Sequence, residues 1–510
     1  MKEKGIPKQA IVWLGLATVL TFLAGGDTPV ELAVWLGPVF LLRFFRMSKP
    51  LKGFLVAFPC MFLAAVLSFK GMSPLPLHVF IIGTIIDSAV HLLPYLLDRL
   101  LAPKLPGGIR TLLLPALVVA IGFILSMVGS FGTWGIATYG IRDMVWLQLV
   151  SVTGVWGLTF LIYWTASVIN EVVRMHRSIK ENRGLLISFV VILIVVYGYG
   201  VLRLHETRPI EHTVRMAGIT PTPENRDALL KAATVLLSRN AVTGSQTRQM
   251  RDVFDRLFRD LMNRSIKVAQ SGVDMVVWSE GAAAFFAEDE ERYLRQARLK
   301  AKEHGIYLGV AVVVVMDNNM VDLHKNPQPF LKNKLIFVLP DGNIAWEHMK
   351  ARLVPGIEDS TFLPGDGILK TADVPVVPVG HVTGAICYDL DFPRLIRQAG
   401  KSGSSLLLAP SNDWATIKHM HAAMARIRAI ENGLAILRPT SNGISIAVDP
   451  YGRIVSQVDY FQSRGGPLVA VLPVKPVSTL YSSLGDLFAW LALLGVLLLL
   501  VTAAIQYKKQ

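Results

Sequence analysis

The segment "HVTGAICYDLDFPRL", residues 381–395, holds one of the two cysteines in a chain of 510 residues. It reads as an apolar strand over 382–388, then an acidic turn, then a helix starting near Phe392. Cys387 therefore falls at a strand end, beside a helix N-terminus, a setting that favours the thiolate. A buried core cysteine fits the same residue, since free cysteine is among the most buried residue types. The segments around it have to decide.

From residue 212 onward, apolar strand-like runs alternate with helical ones. Strands are predicted at 213–219, 273–279, 307–315, 334–339, 344–349, 405–411, 434–440, 444–449 and 468–474, and helices at 224–239, 245–271, 287–304, 392–402 and 415–432. "LPDGN" and "DPYGR" carry the turn residues of hairpins. Nearly continuous apolar strands interleaved with helices predict sheets covered by helices. About 280 residues are enough for a two-sheet sandwich with a full core. In such folds the strand ends and the loops after them carry the chemistry.

Two other strand ends offer suitable groups. Glu280 closes "VDMVVWSE", and Lys350 follows "IAWEHM" to open "KARLVPGIE". Alone, the acid fits a surface cap and the lysine a solvated side chain. Together with Cys387 they make the set that nucleophilic catalysis needs: a thiol, a base and a cation for the developing oxyanion.

The rest of the chain is greasy. The chain as a whole is 52% hydrophobic, with a mean hydropathy of +0.46. Eight apolar runs, near 9–25, 30–45, 53–69, 76–97, 111–132, 145–169, 185–203 and 484–506, approach the roughly 20 residues that a span requires. Alternate loops are basic: Arg43, Arg46, Lys49 and Lys52; Arg99, Lys104 and Arg110; Arg174, Arg177, Lys180 and Arg183. The positive-inside rule then puts both termini in the cytoplasm and the long segment outside. The expected domains are a seven-span region at 1–203, an extracytoplasmic domain at 204–483, and a last helix with its tail at 484–510. Cys60 and Cys387 would lie in different compartments and cannot pair. The net charge of +14 is largely topological signal, and no basic run is interleaved with base-stacking aromatics, so no nucleic-acid partner is expected. No metal is expected, as no His/Cys/Asp set has ligand spacing along the chain. No glycine-rich phosphate loop follows a strand, so no cofactor is expected either.

The segments "VVWSE", "KARLVPGIE", "GAICYDLDFPRL" and "LLAPSNDWATIKHMHAAMARIRAIENGLAILRPTSNGISIAVDPYGRI" resemble the nitrilase, or carbon–nitrogen hydrolase, superfamily. They are closest in kind to its integral membrane branch, the apolipoprotein N-acyltransferases. The resemblance implies a membrane α-helical bundle plus an α/β nitrilase-like domain, an α-β-β-α sandwich. It implies Glu280 as general base, Cys387 as nucleophile and Lys350 as oxyanion stabiliser, with Glu358 as a second acid and Tyr388 and Asp389 following the nucleophile. It further implies a monomer in a bacterial inner membrane, a phospholipid acyl donor and a diacylated apolipoprotein acceptor. Asp389 stands where the family usually has Glu, Ser279 where Pro is common, and "AGITPTPE" lacks the usual Gln and Asn.

Other readings stay open. A membrane-anchored nitrilase-like amidase or hydrolase would use water as acceptor, and an acyltransferase could serve a different acceptor. Asp87 and His91, at i and i+4 within an apolar run, would suit a transporter or receptor. Phe285 and Phe286 in "GAAAFFAEDEE" fit either an apolar lid or a core element, and Trp414 either a pocket wall or core. His421 reads as structural.

Overall fold

The structure is a computed structural model that describes residues 6–174, 183–205, 212–237, 244–316 and 329–509. Internal contacts divide the chain into two units, Met1–Glu206 with Leu484–Gln510, and Thr207–Ser483.

The first unit is helical: α1 (Lys8–Ala24), α2 (Glu31–Met47), α3 (Pro50–Phe69), α4 (Leu77–Leu101), α5 (Leu113–Val128), α6 (Met144–Leu147), α7 (Val150–Thr153), α8 (Val155–Arg174), α9 (Arg183–His205) and a C-terminal helix, Leu487–Lys509. Among the described residues five helical stretches are long and apolar enough to cross a membrane: Pro50–Phe69, Leu77–Lys104, Gly107–Val128, Arg183–His205 and Leu487–Gln506. By length and composition this is a membrane protein. The difference from eight runs has local causes. The helices α1 and α2 have 17 residues each, at the lower limit for a crossing. The sixth run is interrupted at Gly154, whose φ of 61° only glycine adopts readily, and divides into α6, α7 and α8.

Buried polar groups on α8 are satisfied by neighbouring helices, as burial in an apolar medium demands. Asn170 Nδ2 donates to the Val39 carbonyl at 2.9 Å, and Trp156 Nε1 donates to Asp486 at 2.9 Å. Asp87 lies exposed on the surface of α4, while His91 is half-buried against the Tyr95 ring. A transport pair would face the interior of the bundle, so Asp87 fits that reading poorly.

Among its described residues the second unit contains 15 strands: β1 (Thr213–Ile219), β2 (Met275–Trp278), β3 (Ala283–Phe286), β4 (Tyr307–Val315), β5 (Leu331–Val338), β6 (Ile344–Met349), β7 (Thr371–Val374), β8 (Val377–Gly384), β9 (Ser404–Leu408), β10 (Ser411–Asn412), β11 (Ala435–Arg438), β12 (Thr440–Ser441), β13 (Ile444–Val448), β14 (Ile454–Asp459) and β15 (Leu468–Pro473). One sheet runs β15-β1-β2-β4-β5-β6, with β3 also paired to β4; the other runs β14-β13-β11-β9-β8-β7. The pairs β1/β2, β2/β4, β8/β9 and β9/β11 are parallel, and the predicted hairpins β5/β6 and β13/β14 are antiparallel.

Its helices are α10 (Pro223–Leu237), α11 (Gly244–Ala269), α12 (Glu290–His304), α13 (Pro393–Lys401) and α14 (Lys418–Asn432). One apolar core joins the inner faces of both sheets, bringing Met216, Val277 and Leu335 together with Val382, Leu406 and Leu437. Phe258 and Leu261 of α11 and Ala297 of α12 pack on the first sheet. Ile396 of α13 and Ala425 and Ala429 of α14 pack on the second. The layers are therefore helix, sheet, sheet, helix.

One expectation is corrected here. Phe285 and Phe286 are buried in β3, with Phe285 stacked on Tyr293 at 5.0 Å. Both rings are occupied in core contacts, so the lid reading gives way to the core reading.

Close approach of the sheets explains Gly384. A Cβ there would lie 2.5 Å from the Trp346 ring and 2.7 Å from Leu335. Substituting Gly384→Ala should cost about 1–3 kcal/mol through overpacking. The check is the thermal midpoint of the detergent-solubilised full chain, which should drop by several degrees; an unchanged midpoint would show that the sheets have slack at this point.

Candidate active site

Strand alternation delivers the lysine. Side chains two apart on a strand share a face. In β6 and its extension, Trp346, His348 and Lys350 all point inward and are buried. Across the hairpin, Lys350 N–H donates to the Asn333 carbonyl at 2.9 Å. Glu280 arrives two residues beyond the end of β2, and its oxygen Oε1 accepts from Lys350 Nζ and Asn333 Nδ2, both at 2.8 Å. Lys350 Nζ also donates to Glu358 Oε1 at 2.7 Å, while Glu358 Oε2 accepts from the Val354 N–H at 2.8 Å. One ammonium thus bridges two carboxylates, with Lys350 only 1% exposed.

Cys387 follows β8 in a short helical turn, Cys387–Asp391, that precedes α13. Its backbone lies at φ 48°, a left-handed conformation that non-glycine residues rarely adopt. Such strain costs of order 1–3 kcal/mol and persists only where the surroundings enforce it. Here Cys387 N–H donates to the Pro410 carbonyl at 2.9 Å and Sγ faces the Asn412 carbonyl at 3.9 Å.

The enforcing group is Asp389, which is fully buried. Its Oδ1 accepts from the N–H groups of Ala351 at 3.1 Å and Arg352 at 2.8 Å; its Oδ2 accepts from Ile386 N–H at 3.0 Å and pairs with His348 Nε2 at 2.9 Å. A single carboxylate thus ties the cysteine turn to the lysine strand. Tyr388 is buried beside it, edge-on to Phe392 at 5.4 Å. Trp414 is half-buried in the turn between β10 and α14.

Electrostatics differ from the expectation of a favoured thiolate. Burial pushes the Cys387 thiol well above its ordinary range, and the Glu280 carboxylate pushes it further, against the opposing pull of Lys350. Burial works against the charge on Lys350, but the carboxylates of Glu280 and Glu358 outweigh it and hold the ammonium well above its ordinary value. Glu358 is raised by burial, partly offset by Lys350. The resting site therefore holds a thiol, an ammonium and carboxylates, and sulfur ionises only when a base takes its proton.

Behind Cys387 lies a second buried network that chain spacing does not reveal. Asp413 Oδ1 accepts from Arg438 Nη2 and pairs with His421 Nδ1, each at 2.8 Å. Burial opposes the His421 charge, but Asp413 and Asp391 raise its pKa overall. Burial also opposes the charge on Asp413, and Arg438 and His421 more than compensate. Donor atoms of Cys387, Asp413 and His421 lie within 4.8 Å of one another, a grouping of metal-ligand type. The Asp413 oxygen is already shared by a guanidinium and an imidazole, however, and Lys350 adds a further positive charge beside the sulfur. This is a poor setting for a cation.

The "SNG" turn supports the network. Asn442 has φ 56° and donates to Asn412 Oδ1 at 2.7 Å. A Cβ on Gly443 would fall 2.5 Å from Asp413 Oδ2. Ser279, where the family commonly has Pro, shares a 2.7 Å hydrogen bond with Ser441, linking the Glu280 strand end to this turn.

The family model described as Carbon-nitrogen hydrolase matches residues 213–469. The chain belongs to the carbon-nitrogen hydrolase family. It is also similar to curated relatives named apolipoprotein N-acyltransferase. The relative from Geobacter metallireducens is 24% identical over 544 residues, covering 99% of this chain and 96% of that one. The relative from Borreliella burgdorferi is 24% identical over 408 residues, covering 74% and 71%. Among solved structures, an amidase from Nesterenkonia sp. superimposes with a TM-score of 0.39 at 17% identity, covering 51% of this chain and 91% of the amidase.

Because Glu280 holds the thiol pKa up, Glu280→Gln should lower it: the negative charge goes and the Lys350 ammonium remains. Alkylation of Cys387 by iodoacetamide, followed by peptide mass, should therefore rise at a lower pH in the variant than in the parent. Turnover should drop by about 10²–10⁴-fold, the loss expected when a carboxylate acting as general base is removed. An unshifted alkylation profile would separate Glu280 from the sulfur electrostatically.

Proposed function

We propose that this chain is a membrane acyltransferase. It takes an acyl group from a phospholipid onto Cys387 and passes it to the α-amino group of the N-terminal diacylglyceryl-cysteine of an apolipoprotein. The observation that carries the reading is the buried Glu280–Lys350–Glu358 cluster beside a strained Cys387, in a chain that also has five helices able to cross a membrane. The alignment of the Geobacter metallireducens relative over 99% of the chain supports the same reading for both units. The domain is placed outside the cytoplasm in this proposal, on the strength of the alternating basic loops.

In the first half-reaction Glu280 takes the proton from Cys387 Sγ as sulfur attacks the ester carbonyl carbon. Both of its recorded hydrogen bonds fall on Oε1, which leaves Oε2 to receive the proton. The new C–S bond forms a tetrahedral oxyanion. Lys350 Nζ, whose charge acts on the sulfur, is the donor assigned to it, since the N–H groups of Cys387 and Asp389 already serve the carbonyls of Pro410 and Ile386. A donor so placed is worth about 3–4 kcal/mol in the transition state. The C–O bond then breaks, and the lysophospholipid oxygen leaves with the proton from Glu280. In the second half-reaction the amine attacks the thioester, Glu280 takes the ammonium proton, the C–S bond breaks, and the proton returns to sulfur. The product is an amide, and the kinetics are ping-pong.

Purified protein incubated with labelled phospholipid should gain the mass of one acyl group, retained until a diacylglyceryl-cysteine peptide is added and then found on that peptide. Cys387→Ala should give neither adduct nor product. Free fatty acid without transfer would convert the assignment to a hydrolase, and an adduct persisting in Cys387→Ala would remove the cysteine from the chemistry.

A further inference from the structure

A second concentration of buried charge lies in the first unit, at the helix ends that carry the basic loops. Arg46 on α2, Asp98 and Arg99 at the end of α4, Arg110 just before α5, and Glu171 and Arg174 at the end of α8 line one cavity of about 150 Å³. Asp98 and Glu171 are each 1% exposed. Arg46 Nε reaches Asp98 at 3.3 Å, Arg174 Nη2 reaches Glu171 at 2.7 Å, and Arg110 Nε reaches Glu171 at 3.7 Å. Four guanidinium groups face two carboxylates, which leaves an excess of two positive charges on the cavity wall.

Two of the arginines are under-used. The Nη1 of Arg46 is buried without a hydrogen bond and approaches Glu171 only at 3.9 Å. Arg99 donates Nε to the Ser48 carbonyl at 2.9 Å and acts on the neighbouring Asp98 carboxylate through its charge, without a contact ion pair among the described residues. The two carboxylates are buried, whereas the arginines keep part of their surface open: Arg46 is 14% and Arg110 20% exposed, so their free N–H groups can reach a ligand in the cavity. Guanidinium forks match phosphate oxygens in geometry as well as charge.

We infer that this cavity binds a phosphate group, held by Arg46, Arg99 and Arg110. A phospholipid headgroup and a free phosphate ion share that chemistry. The inference does not rest on the acyl-transfer reading.

The test uses the full chain in non-ionic detergent, with Cys387→Ala present throughout so that no acyl transfer occurs. The probes are phosphatidylglycerol against diacylglycerol of the same chains, and inorganic phosphate against chloride at equal ionic strength. The readouts are the melting temperature and retained ligand by native mass spectrometry. Phosphatidylglycerol or phosphate should raise the midpoint by several degrees where their comparators do not. The apparent affinity should fall at least fivefold in R99Q/R110Q and stay unchanged in K52Q, which removes an exposed charge outside the cavity. If the double variant loses its fold, R99Q alone carries the comparison. A response to phosphatidylglycerol alone assigns the site to a lipid headgroup; a response to phosphate as well assigns it to the free anion. No response to either probe, or equal responses in K52Q and the arginine variants, overturns the inference.

Discussion

The candidate site depends on one ammonium. Lys350 sits between Glu280 and Glu358, almost without solvent. Two carboxylates at such depth would repel each other, and desolvation would drive at least one to take up a proton. The Lys350 ammonium offsets part of this penalty for Glu358, whose pKa burial still raises. It also opposes the burial that keeps sulfur protonated. One side chain therefore holds Glu280, partners Glu358 and moderates the thiol. Removing it would disturb all three, because breaking one partner of a buried ion pair leaves uncompensated charge.

The lysine is in turn fixed by backbone geometry. Lys350 N–H is bonded to the Asn333 carbonyl, and Asn333 holds Glu280 through its side chain. Asp389 then joins the residues after Lys350 to the turn that bears Cys387. The three reacting groups come from separate strand ends, but a closed set of hydrogen bonds sets their spacing. The left-handed backbone at Cys387 is held within that set, and several bonds of about 1 kcal/mol each are enough to hold strain of this size.

Much of this was legible in the sequence, for physical reasons. Apolar strands ending in Glu280, Lys350 and Cys387 stood out because a polar group that closes an apolar run is unusual. The hairpins stood out because "DG" and "YG" turns require glycine at positive φ, as Gly342 and Gly452 show. What stayed hidden depends on pairing across long separations. Asn333 lies between Lys332 and Lys334, just before the predicted strand, and its significance appears only when β5 meets β6. Asp413 and Arg438 are 25 residues apart and meet only because β10 and β11 bring their ends together. The strand β3 was obscured by its alanines and the acidic run after it, which together resemble a helix start. In the helical unit, hydropathy registers apolar content alone, and does not show that α8 is largely buried among its neighbours and carries Asn170 and Glu171.

Burial of the sulfur has a consequence for the proposed reaction. A thiol held above its ordinary pKa is a weak nucleophile at rest and a poor leaving group once acylated. Both properties suit an enzyme that must hold an acyl group until a second large substrate arrives. A low-pKa cysteine would release its acyl group to water more readily. At 7% exposure, Cys387 gives water little access. The feature that at first argues against Cys387 as a nucleophile, its protonated and buried state, is therefore the one that would separate transfer from hydrolysis. In an exposed site of the same composition, that separation would have to come from binding the acceptor first.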